Sequence, residues 1–115
     1  MASIDENIYN LGEFTMIAGT LQEIQFDPKD EDGIAIDISS AQSTGARFSR
    51  VGFEEVLFEK AGVIETVNSF VITLEGTDTE NLAGGKYRYQ PFIIDNDGNP
   101  FWNAQGKILI INQIK

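Results

Sequence analysis

Cysteine and histidine are both missing from this 115-residue chain. The first absence removes disulfide cross-links, thiolate metal sites and thiol redox chemistry. The second removes the commonest general base, the commonest zinc ligand and every Ser-His nucleophilic arrangement. Catalysis would fall to carboxylates, and a carboxylate pair works only when burial raises one member's pKa across a cleft. Asp37 and Glu75, the acids in strand-like contexts, alternate toward solvent, so an enzyme is not expected. Positive charge is also scarce, with 8 Lys and Arg against 18 Asp and Glu for a net charge of −10. That balance opposes a phosphate backbone, which is bound by cations that displace counterions, and no nucleic-acid partner is expected. No run approaches the roughly 18 apolar residues of a membrane span, and Met1–Glu6 lacks the basic start and apolar stretch of an export signal. The expectation is a soluble chain with no cofactor and no membrane partner.

What is present is β-patterning within the length of one domain. Phe14, Met16 and Ala18 alternate with Thr15 and Ile17; Ile24 and Phe26 flank Gln25; Ile34, Ile36 and Ile38 alternate with Ala35 and Asp37. Ala46–Val51 is a mixed strand with one solvated face. The stretch from Val56 to Ile64 reads either as a short hairpin or as a helical turn begun at Gly52–Glu55. Val67–Leu74, Tyr87–Ile94 and Lys107–Ile111 complete the set. Seven or eight strands, punctuated by Gly, Asn, Asp and Ser turns at roughly 8–12 residue intervals, indicate an all-β, antiparallel two-sheet β-sandwich. Its inward face is expected to include Ile36, Phe70, Ile72, Tyr87, Ile93 and Ile110.

Residues 1–12 precede the first strand as an arm. Ile4, Ile8 and Leu11 fall on one face if a helical turn forms there, and the alternatives are ordering against another surface or fraying. The sandwich domain is then 13–115. Acidity is concentrated early: residues 1–32 carry eight acids against Lys29, a balance of −7, and the remainder carries −3. It reads as a solvated, solubilising segment or as a patch that docks on a basic neighbour.

Two acidic turns, Asp27–Gly33 and Asp95–Pro100, invite a calcium reading. Neither is an EF-hand loop: aligning Gly33 with the invariant glycine puts Pro28 at the first ligand position, and aligning Gly98 puts Ile93 there. A looser calcium site around Asp27, Asp30 and Asp32 is the alternative to a solvated turn. Asp95–Pro100 reads as a hairpin tip in which Asn and Asp-Gly supply the positive φ of a primed turn. Beyond it, Phe101 and Trp102, with Tyr89, form either a sugar-stacking platform or a cap on the core. Gly84-Gly85 lets the chain turn a corner, and Tyr87 is positioned to send its hydroxyl to nearby backbone, as in the tyrosine corner of immunoglobulin-like sandwiches. The cysteines and the strand-C tryptophan of immunoglobulin domains are absent.

The segments Ile24–Asp32, Gly33–Ser39, Val71–Leu82, Gly85–Tyr89, Asp97-Gly98 and Gly106–Ile110, in that order, resemble small phage tail and baseplate domains. The likeness is to the immunoglobulin-like N-terminal domain of baseplate upper proteins and related prophage structural proteins, and it spans roughly Thr20 to Ile111. It implies a non-enzymatic virion component that assembles into a ring or fibre attachment through edge strands or the acidic arm, with itself and other phage structural proteins as partners. No catalytic residue carries over. A carbohydrate-binding sandwich that uses Tyr89, Phe101 and Trp102 is the alternative.

Overall fold

The computed structural model describes residues 9–112. Alternating side chains build eight strands: β1 (Tyr9–Ile17), β2 (Gln22–Phe26), β3 (Ser43–Arg50), β4 (Phe58–Ala61), β5 (Val63–Thr66), β6 (Ser69–Leu74), β7 (Gly85–Ile94) and β8 (Pro100–Ile111). One helical turn, α1 (Gly76–Thr79), links β6 to β7. The strands form a five-stranded sheet in the order β1-β8-β7-β3-β4 and a three-stranded sheet in the order β2-β6-β5. Lettered along the chain as A, B, C, C′, D, E, F and G, these are sheets A-G-F-C-C′ and B-E-D, the arrangement of an immunoglobulin-like β-sandwich. Pairing is antiparallel except at one edge, where β1 runs parallel to β8.

The inward faces meet in one core. Phe70, Ile72 and Leu74 of β6 oppose Tyr87, Tyr89 and Ile93 of β7 and Ile108 and Ile110 of β8, all nearly or wholly inaccessible. No disulfide staples the sheets, and aromatic side chains do so instead. Phe26 and Phe70 of the small sheet lie 5.0 Å apart, and Phe70 meets the Trp102 ring of the large sheet edge-on at 6.3 Å and 89°. Phe26 also reaches Tyr89 at 5.9 Å. Separations of this order are favourable for edge-to-face and tilted pairs, each adding about 0.5–1.5 kcal/mol beyond area burial.

Val56–Ile64 is neither a hairpin nor a helical turn. β4 pairs with β3 in the large sheet and β5 pairs with β6 in the small one, so the chain crosses between sheets at Gly62. Only a residue without a side chain fits there, because a Cβ on Gly62 would sit 2.6 Å from Thr44 Oγ1 and 2.9 Å from the Phe70 ring.

Ile34–Ile38 does not form the expected strand. Lys29 and Ala35 make a single bridge, Ile34 is 63% exposed, Ile36 is half-buried and Ile38 alone is fully inside. The segment has no neighbouring strand to extend its ladder. It is held by Ile36 N–H donating to Pro28 O, Ile38 N–H to Val67 O and Asn68 Nδ2 to Ile36 O. It thus closes one end of the sandwich as a loop plug.

β7 carries Pro91 in a central strand, where a missing N–H interrupts a ladder. Pairing with β8 accordingly lapses at Gln90 and Pro91, between Tyr89↔Gly106 and Phe92↔Asn103. At the first strand, β1 begins at Tyr9, and Leu11 packs against the core as a strand residue. The proposed helical partners Ile4 and Ile8 lie outside the described residues.

Tyr87 forms the expected corner, its hydroxyl donating to Ala83 O at 2.5 Å. Tyr87→Phe keeps the ring and deletes this bond. The expected loss is about 1 kcal/mol, the typical net worth of one intramolecular hydrogen bond, read as a lower denaturation midpoint at unchanged slope.

Candidate functional site

A cleft of about 300 Å³ opens on the side of the sandwich where β1 and β2 are the outer strands of their sheets. Strand alternation builds it. On β2, Ile24 and Phe26 point inward and form part of the wall, while Gln25 points outward to the rim. The chain leaves β2 through Asp27, Pro28 and Lys29, which places Asp27 and Lys29 on the same rim. Gln25 Nε2 donates to Asp27 Oδ1 at 3.0 Å, fixing the amide against the carboxylate.

The opposite wall comes from the large sheet: Leu11 of β1, Tyr89 of β7 and Trp102 of β8. Tyr89 can lie flat because its cross-strand partner is Gly106, where any Cβ would overlap the phenol ring. Phe14 and Phe26 flank Tyr89 at 5.7 and 5.9 Å. Burial removes water from its hydroxyl and holds the phenol pKa above its ordinary value, so the group is neutral and polar. Trp102 is 7% exposed, and its Nε1–H has no acceptor among the described residues. A buried donor left in this state costs roughly 1–3 kcal/mol.

Of the three aromatics expected as a platform, Tyr89 and Trp102 are brought together on the inner face. Phe101 alternates to the other face, 39% exposed. The three do not share one exposed surface, and Trp102 is a core residue that also lines the cleft. The cleft's remaining walls were not legible, because Leu11 and Phe26 come from separate strands of different sheets whose juxtaposition depends on how the sheets pack.

The candidate calcium residues are held differently. Asp30 Oδ1 accepts from Asp32 N–H and Ile34 N–H, both at 2.9 Å, and Gly33 adopts φ 79°. Asp95 repeats the arrangement: its Oδ1 accepts from Asp97 N–H and Asn99 N–H at 2.9 Å, with Gly98 at φ 82°. The two turns share the pattern Asp-x-Asp-Gly, a sequence signal for one local structure built twice. Among the described residues positive φ occurs only at glycine, so the Asp95–Pro100 tip is not a primed turn. The carboxylate of the leading Asp organises the backbone, and the single left-handed residue is the glycine.

No group of three or more acidic side chains that could hold a metal ion occurs among the described residues. Asp27, Asp30 and Asp32 therefore do not converge: Asp27 bonds Gln25 while Asp30 caps its own turn. Nearby, Asp37 accepts from the Ser39 hydroxyl at 2.7 Å and from the Ser39 N–H at 2.9 Å, bonds that hold its carboxyl below the usual range.

Asp30→Ala and Asp95→Ala should each lower stability by about 1–2 kcal/mol, since each removes two bonds to backbone amides. Millimolar calcium is expected to leave the melting temperature of the unaltered protein unchanged. A rise with calcium that Asp30→Ala abolishes would restore the metal reading.

No family model matches the chain, and no curated protein matches it. Among solved structures it is similar to CopC from Methylosinus trichosporium OB3b, with TM-score 0.50 and 11% identity over 90% of this chain and 87% of that one. It is also similar to the fibronectin(III)-like modules of Clostridium thermocellum CbhA, with TM-score 0.49 and 10% identity over 93% of this chain and 92% of that one. For a titin I27 domain mutant the values are 0.44 and 8%, over 93% and 88%. At 11% identity the likeness to CopC is one of fold alone, in agreement with the strand order.

Proposed function

We propose that this chain is a non-enzymatic structural module of a phage or prophage virion, an assembly or adaptor domain of the tail or baseplate. It works by contact with copies of itself and with other virion proteins. The observation that carries the reading is the edge of the small sheet. Among the described residues β5 pairs only with β6, leaving its other side unpaired, and the edge carries Val63 at 68% and Ile64 at 39% exposure, with Val67 at 54% in the following turn.

The other sheet edges are defended in the ways that keep edges from pairing. β1 carries a register shift at Gly12, with φ 85°, and an exposed Glu13. β2 presents Glu23, and β4 presents Glu59, which is paired with Arg47 at 2.9 Å. β5 has Glu65 as its one charge, between Ile64 and Thr66, and its apolar side chains Val63 and Ile64 precede a register shift in a strand of four residues. An edge of this kind suits addition of a strand from another subunit, with main-chain bonds for affinity and the valine and isoleucine side chains for register. Further apolar side chains, Phe53, Val56 and Leu57, stand exposed on the β3–β4 connection and offer a second contact of the same chemistry. The resemblance of the segment order to that of baseplate upper proteins is what suggests a virion setting for such contacts.

Light scattering at rising concentration should return multiples of the chain mass, or a stable complex with the product of a neighbouring tail gene. Ile64→Lys, at a partly exposed position, should reduce association at least tenfold, equivalent to about 1.4 kcal/mol, while leaving a folded β-sheet circular dichroism spectrum. A monomer at every concentration that also ignores the flanking gene products would overturn the proposal.

A further inference from the structure

We propose that the cleft between β1 and β2 binds one neutral sugar ring, a monosaccharide or the terminal unit of a glycan. This is independent of the assembly role, which rests on β5 at the opposite side of the small sheet. The cleft divides its chemistry between wall and rim. Its inner wall is aromatic and aliphatic, from Phe26, Tyr89, Trp102 and Leu11, and its rim is polar, from Gln25, Asp27 and Lys29. A pyranose has the complementary division, with C–H groups on a ring face and hydroxyls around the perimeter.

The rim groups match hydroxyls in kind. A hydroxyl both donates and accepts; the amide does both, the carboxylate accepts and the ammonium donates. Lys29 makes no ion pair among the described residues, so its ammonium is available. Asp27 stands on the same rim and offsets that positive charge, which selects a neutral ligand over an acidic one.

Trp102 contributes its ring to the wall, while its indole nitrogen stays buried behind it. The wall residue Tyr89 brings a hydroxyl, kept neutral by burial, that both donates and accepts. Volume sets the size: about 300 Å³ lies at the lower end of small-ligand pockets and admits one ring rather than an oligosaccharide.

Trp102 is the one tryptophan of the chain, so a ¹⁵N-labelled sample gives a single indole N–H cross-peak that reports on the cleft. The probes are D-galactose, D-mannose, L-rhamnose and N-acetyl-D-glucosamine, with cyclohexanol as an apolar ring of similar size. One sugar is expected to move the indole peak saturably at millimolar concentration, and the double variant Gln25→Ala, Asp27→Ala to weaken it about tenfold. The double variant should keep its melting temperature within a few degrees, since both side chains are exposed. An indole peak that none of the sugars moves up to about 50 mM, a concentration that saturates millimolar sites, would overturn the proposal. So would a response to cyclohexanol that equals the sugars' and ignores the rim variant, because the cleft would then be an apolar gap without sugar recognition.

Discussion

The edge-to-face contact between Phe70 and Trp102 joins two sheets that no disulfide holds together. Phe70 is at the centre of the small sheet and Trp102 near the start of the last strand of the large one, 6.3 Å apart at 89°. Phe26 and Tyr89 extend the contact toward the β1–β2 side, and stacked Phe48 and Phe58, at 4.6 Å, secure the β3–β4 side within the large sheet. A sandwich of this size without a disulfide needs such directional contacts, because apolar area alone does not specify how one sheet sits over the other.

The cleft follows from the same packing. Trp102 and Tyr89 are drawn inward to meet Phe26 and Phe70, and their outer margins become the wall between β1 and β2. The ring of Tyr89 needs the bare backbone of Gly106 opposite it, while Pro91 interrupts the ladder two residues farther along. Irregularity in the large sheet is thus concentrated beside the cleft, and the β5 edge that carries the proposed assembly contact lies across the small sheet from it.

Period-two alternation was enough to identify most strands and to place Phe70, Ile72, Tyr87, Ile93 and Ile110 in one core. It failed at Ile34–Ile38, where alternation is present but no strand lies alongside. A strand is a pairing, and composition does not reveal a missing partner. Val56–Ile64 was ambiguous for the opposite reason: it is two short strands in different sheets, and the crossing at Gly62 depends on close approach to Thr44 and Phe70. Phe101-Trp102 shows how the aromatic site was misjudged, since adjacent residues on a strand face opposite ways. The Asp-x-Asp-Gly pattern common to the two turns stands in the sequence, but the primed turn expected at Asp95–Pro100 passed it over, because the leading carboxylate and a single left-handed glycine, not two positive φ angles, shape the tip.

A double-mutant cycle over Phe70→Leu and Trp102→Leu isolates the aromatic contact that sets one sheet upon the other. Chemical denaturation of the four proteins should give a coupling of about 0.5–1.5 kcal/mol beyond the sum of the single losses. Single losses that add to within about 0.3 kcal/mol would contradict it, and would mean that the two rings fill space without fixing one sheet upon the other.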